Sequence, residues 1–452
     1  MFVGLLSCKK ENELPIDEGE QFSGGVLGTV NDATINAFSL SMPGISSQQE
    51  LDFFVGNSFF NQNWVMAPSS TSARDGLGPL FNARSCSGCH FKDGRGRAPE
   101  NDMELTTGFI MRLNIGTDFF GRSLPDENYG TQIQNQGING VNPEAQIHIQ
   151  YEIIEGTFAD GEKYLLRKPL YTFSGMAYGP MSAQVKTSPR VAPHMSGLGL
   201  LENISETDIL KYADENDQNQ DGISGRPNYV WDFFTQTSVL GRFGWKANQP
   251  SLQQQVISAF LGDIGITTSL FSTQNCTSVQ MDCLSALDGG HPEIEDDDVN
   301  KVVLYCQTLA VPQRRDYQNQ EVLLGKTIFN KIKCGGCHVP SFTTQSNTVI
   351  TALSQQKIFP YTDLLLHDMG DGLADGRQDF LATGKEWRTP PLWGIGLFNI
   401  VNSHTNYLHD GRARNIEEAI LWHDGEGKQA QLSYKSLSKS ERTALLKFLN
   451  SL

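Results

Sequence analysis

Two pentapeptides of one pattern, Cys86-Ser87-Gly88-Cys89-His90 and Cys334-Gly335-Gly336-Cys337-His338, constrain this chain more than any other feature. In C-x-x-C-H the two thiols are spaced to add to the vinyl groups of one heme, and the adjacent imidazole is held where it reaches the iron. Two copies point to two covalently bound heme c groups. Cys86, Cys89, Cys334 and Cys337 are the anchors, and His90 and His338 the axial ligands. The competing readings are a zinc ligand set and a thioredoxin-like redox pair. The remaining cysteines are not paired at zinc-knuckle spacing, which counts against zinc.

A helical pattern leads into each motif. Before the second, a stretch from about Asn319 to Ile332 places Gly325 and Phe329 four apart on one helix face. The chain closes with a capping start at Ser438 to Glu441 and a helix through Leu445, Phe448, Leu449 and Leu452. The first half repeats the plan with Gly56 and Phe60 in an opening helix and a later helix near Ile294 to Leu309. Tyr305 and Leu309 there match Phe448 and Leu452, so Cys306 takes the core position of Leu449. This plan resembles class I cytochrome c, in which the opening and terminal helices cross closely and glycine permits the approach.

The first copy spans far more residues than the second and must hold an insertion, in which Gly108–Leu113 and Ile147–Ile153 read as strands. The expected fold is mainly α: two class I cytochrome c-like heme domains, the first with a large insertion containing minor β elements. The expected division is residues 1–24 as a lipoprotein signal remnant and tether, 25–313 as the N-terminal heme domain, and 314–452 as the C-terminal one. A length of 452 residues agrees with more than one core.

The formal net charge is −16, and no Lys/Arg block accumulates, so nucleic acid is excluded as a partner class. Such a field would steer a basic electron-carrier protein, and it also keeps a chain soluble. Leu5-Leu6-Ser7-Cys8 resembles a bacterial lipoprotein cleavage box, with Cys8 as the lipid anchor, although the basic n-region is missing. The alternative is an ordinary cysteine in a frayed terminus. Export to the periplasm or outer membrane of a Gram-negative bacterium is the matching localisation. Cys276 and Cys283 bracket a polar loop and are expected to form a disulfide there. Cys306 reads as a buried small hydrophobe.

Several segments together resemble the di-heme oxidoreductase family, related to bacterial diheme cytochrome c peroxidases. They are Gly78 to His90, Arg190-Val191-Ala192-Pro193, Gly241 to Gln249, Leu364 to Gly370, and the run from Trp387 through Tyr407-Leu408-His409-Asp410-Gly411 to His423. The resemblance extends from about Gly76 to Leu452. In the peroxidases a residue just after the Glu-Glu-Ala-type helix, usually Met, supplies the distal ligand of the C-terminal heme. Here His423 stands at that place, which implies a bis-histidine heme of lower potential than a His/Met one. The other reading of His423 is a hydrogen-bonded helix histidine. By the same resemblance His409 is a supporting group near that heme, oriented by Asp410 and Arg412. His367 with Asp368 either contacts a propionate or caps a turn.

No histidine lies between His90 and His148, where the peroxidase pattern would put a distal ligand. This favours an open iron at the first heme, unless His148 or His194 closes it through the fold. Asp217, Asn219 and Asp221, followed by Gly222, match the first half of an EF-hand loop, but position 12 is Asn228. A calcium-stabilised loop and a solvated acidic turn both stand. Trp231 and Trp245 are candidate electron bridges or core residues.

The leading functional expectation is a cytochrome c peroxidase-like oxidoreductase. It would reduce hydrogen peroxide with electrons relayed from the His338 heme to the His90 heme, supplied by a small cytochrome or cupredoxin. The alternatives are a diheme enzyme that oxidises a partner protein and a non-enzymatic electron-transfer cytochrome. An acidic or amide side chain from the insertion should handle protons, and the sequence does not identify it.

Overall fold

The structure is a computed structural model that describes residues 14, 16–71, 73–102, 104 and 107–452. Cys8 and the cleavage box lie outside the described residues. The helices that frame the site are α1 (Ser47–Asn61), α2 (Leu252–Ala259), α3 (Asp296–Thr308), α4 (Gln320–Lys331), α5 (Ile416–Leu421) and α6 (Lys439–Ser451). The cap that the sequence signalled at Ser438 is present, and two other helix starts are capped as well. Ser46 with Gln49 and Ser438 with Glu441 form capping boxes, and the Asn319 side chain accepts from the first turn of α4.

The paired crossings are present at the residues that the spacing singled out. A Cβ on Gly56 of α1 would strike the Lys301 carbonyl and Tyr305 of α3, and one on Gly325 of α4 would strike the Ala444 carbonyl and Phe448 of α6. Backbones this close leave room for hydrogen only. Gly325→Ala is therefore expected to lower stability by about 1–3 kcal/mol through overpacking, read as a shift of the urea midpoint. An unchanged midpoint would mean that the crossing loosens without cost.

The expectation of a mainly α fold with two class I cytochrome domains does not hold. Only 27% of the chain is helical and 18% is strand, divided among many short elements. The strands are β1 (Thr29–Val30), β2 (Phe109–Asn114), β3 (Gln146–Thr157), β4 (Lys163–Ser174), β5 (Lys186–Val191), β6 (Val311–Pro312), β7 (Leu366–Asp368), β8 (Glu386–Arg388) and several shorter pairs. All the sheets are two-stranded. The long β3–β4 hairpin pairs twelve residues a side, from Gln146↔Ser174 to Thr157↔Lys163. The helical reading undercounted this because helix pairs carry strong periodicity, while paired ribbons between glycine turns carry little.

β1 pairs in parallel with β6, bringing the two ends of the expected first domain together just before its expected boundary at 313. Near the start of the chain, Glu20 is buried in ion pairs with Arg314 and Lys326, and Asp17 also reaches Lys326. Cys276 and Cys283 are joined by a disulfide, as their spacing suggested. Cys306 is buried in the core on α3. Among the described residues no helix is long and apolar enough to cross a membrane.

Candidate functional site

Each pentapeptide forms one tight turn that its own backbone closes. The His90 amide donates to the Cys86 carbonyl at 2.9 Å and the His338 amide to that of Cys334 at 3.0 Å. Ser85 caps the first turn by accepting from the Gly88 amide, whereas the second starts from Lys333 in the left-handed region, φ 66°. None of Cys86, Cys89, Cys334 and Cys337 takes part in a disulfide. Burial pushes Cys86, Cys89 and Cys334 up to about 12, so they are protonated at neutral pH.

The imidazoles share one arrangement. Nδ1 of His90 donates to the Pro193 carbonyl at 2.7 Å and Nδ1 of His338 to the Tyr361 carbonyl at 2.9 Å. A carbonyl only accepts, so the proton is on Nδ1 and the Nε2 lone pair is free, the tautomer that ligates a metal. Burial lowers both rings to about 4, which keeps them neutral at pH 7. His423, at the end of α5, follows the same rule by donating from Nδ1 to the Ala419 carbonyl at 2.8 Å. It is close enough to His338 to help depress that ring.

One continuous cavity of about 430 Å³ receives all these groups, bordered by Cys86, Cys89 and His90 and also by Cys334, Cys337, His338 and His423. His409 lines it too, stacked on Trp387 with ring centres 3.6 Å apart, its Nε2 buried and without a partner. Asp410 is ion-paired with Arg412 at 2.8 Å and lies 3.8 Å from His409.

His367 borders the same cavity, held between two carboxylates. Asp363 holds its Nε2 at 2.8 Å and Glu426 its Nδ1 at 2.6 Å, beside Cys337. Burial is the largest influence and opposes its charge, but Asp363 and Cys337 together outweigh it and hold His367 well above the usual range.

His148 is committed elsewhere, to Asp102 and Ser174 on the surface hairpin, and does not border the cavity. Trp231 packs on Phe120 away from it, whereas Trp245 lines it and donates to the Val191 carbonyl at 2.8 Å.

The side chains of Asp217 and Asn219 are engaged within their own loop, and calcium is not shown there. Their oxygens accept from the Asp221 amide, and Asp217 also accepts from that of Gly222. Asn228, at position 12, is buried and donates to the Lys246 and Asp379 carbonyls. No metal-holding group of three or more His, Cys, Asp or Glu occurs among the described residues.

The family model described as "Di-haem oxidoreductase, putative peroxidase" matches residues 19–452. The chain belongs to this family. No curated protein matches it. Membership implies two heme groups, and the residues of this di-haem oxidoreductase fit them. Arg95, Arg112 and Arg388 all border the cavity, and burial lowers each to about 10. Among the described residues none forms an ion pair: Arg95 donates to the Asn406 and Leu408 carbonyls, Arg388 to those of Gly244 and Thr389, and Arg112 to the Gln132 side chain. Charges buried in this way cost several kcal/mol each unless an anion arrives, and a heme brings two propionates.

The sequence did not single out these arginines. Arg95 and Arg388 lie in or beside stretches of recognisable pattern, but nothing in a linear pattern shows that they lack carboxylate partners. Asp263 was missed as well. It follows α2 in a π-helical turn, borders the cavity, and accepts from Gln132 at 2.8 Å. Of the three carboxylates on the cavity wall, Asp221, Asp263 and Glu426, it alone adjoins the first motif, acting electrostatically on both Cys86 and Cys89.

Proposed function

We propose that the oxidoreductase reduces hydrogen peroxide at the first heme with electrons that enter at the second. The observation that carries this reading is the unequal provision of imidazoles around one cavity. Two free Nε2 atoms, from His338 and His423, serve the second motif. At the first, His90 is anchored by Pro193, and the surface position of His148 removes it as a second ligand. His194, which follows the Pro193 carbonyl that holds His90, also borders the cavity, and this reading keeps it off the iron. Cys86 with Cys89 and Cys334 with Cys337 would attach the two groups covalently, as two heme c. When bound, the first heme supplies an open coordination position for peroxide and the second a store for an electron.

The chain's own contribution is positioning and proton handling. Reduction of H₂O₂ to two waters takes up two electrons and two protons. Asp263, raised by burial, with Gln132 on Oδ1 and Arg112 nearby, is the carboxylate placed to accept and return a proton beside the first motif. The apolar walls, among them Ile110, Leu252, Val256 and Ile264, exclude bulk water. The electron donor fits a small cytochrome or cupredoxin with a basic face, steered by the net charge of −16. Thioether attachment and the Cys276–Cys283 disulfide suit an exported, periplasmic protein, with Cys8 as its lipid anchor.

Low-temperature EPR of the ferric protein tests the assignment. One high-spin and one low-spin signal, together with a change in the heme spectrum on stopped-flow mixing with hydrogen peroxide, are expected. Two low-spin signals and no response to peroxide would instead identify an electron carrier.

A further inference from the structure

His194 is the least satisfied side chain in the cavity. It is 6% exposed, and neither ring nitrogen has a hydrogen-bond partner. Phe38 and Phe398 pack against the ring at centroid distances of 5.7 and 5.4 Å. Leaving buried polar atoms unpaired costs about 1–3 kcal/mol for each group. Arg95 and Arg388 flank the ring closely enough to suppress its protonation further. Three hydrogen-bond donors thus border one cavity, and among the described residues none of them is ion-paired with a carboxylate.

The three groups come from both halves of the site. His194 follows Pro193, whose carbonyl holds His90, and Arg95 lies five residues after His90. Arg388 ends β8, pairs with Leu366 of β7, and feels Asp363, the residue that clamps His367 beside Cys337. The cavity joins them without an intervening wall.

We propose that His194, Arg95 and Arg388 form a carboxylate seat that ties the two hemes together. His194 and Arg95 take a propionate of the first heme, and Arg388 takes one of the second. This rests on the two-heme reading but not on peroxide being the oxidant. Its consequence is electrostatic. A propionate stripped of its donor keeps more of its negative charge near the iron, which favours the ferric state and lowers the reduction potential.

The test is potentiometry of the holoprotein with both hemes followed optically. His194→Phe keeps the aromatic packing and removes both nitrogens. It is expected to lower the first heme's reduction equilibrium by about tenfold, 59 mV for a one-electron couple. His194→Gln retains a donor and should shift it less. If H194F does not accumulate, Arg388→Gln carries the same test, with the fall expected at the second heme. Unchanged midpoints at full heme content would overturn the seat. So would conversion of a low-spin to a high-spin EPR signal in H194F, which would make His194 an iron ligand. A wild-type protein without a Soret band would instead bring down the heme reading, and the seat with it.

Discussion

Asp263→Asn is expected to slow peroxide turnover by about 10²–10⁴-fold while both hemes load normally, the range that one positioned acid–base group contributes. Asparagine keeps the size of the side chain and can still meet Gln132, but it cannot take up a proton. The pH dependence has a definite sign. Burial raises the Asp263 carboxyl above its ordinary value, against the opposing pull of Gln132 and Arg112. The ionised form needed to accept a proton is therefore lost as pH falls through that raised value. Wild-type kcat/KM should fall on the acid side, and the D263N profile should be flat there. Turnover within a factor of two of wild type would remove Asp263 from the proton path, and an unaltered acid limb would do the same.

His423→Met is expected to raise the midpoint of the second heme by a sizeable part of the about 0.8 V that axial ligands span, because thioether sulfur favours ferrous iron more than imidazole does. The site suits the exchange. His423 sits at the end of α5, makes a single hydrogen bond from Nδ1 to the Ala419 carbonyl, and directs its other edge into the cavity that His338 enters. Spectroelectrochemistry reads the shift directly, and His423→Ala should open the second iron and add a high-spin EPR signal. If neither variant changes the second heme, His423 is a helix histidine and the ligand lies elsewhere.

The two proposals bear on different parts of one site. Asp263 belongs to the wall beside the first motif, whereas His423 belongs to the second, so their effects should combine almost independently. His409 stands between these cases. Its stacking on Trp387 and the proximity of Asp410 agree with an orienting role, and its unpartnered Nε2 shows that the cavity still has a group to satisfy.

Local chemistry was legible in the sequence because it is written in short spacings. A pentapeptide determines where two thiols and an imidazole lie, a Ser-x-x-Glu run caps a helix, and Gly-x-x-x-Phe marks a crossing. For that reason the two tight turns of the pentapeptides, the capped start of α6, and the Gly56 and Gly325 crossings lie where the pattern put them. The balance of helix and strand was not legible, since the β3–β4 hairpin lies in a stretch whose pairing partner is set by the turn between the strands and by what packs against it. Only the tertiary structure could show that Arg95, Arg388 and His194, from positions almost three hundred residues apart, border one cavity with no ion pair among the described residues to satisfy them. Electrostatic compensation depends on distance in space and on exclusion of water, and the order of residues along a chain records neither.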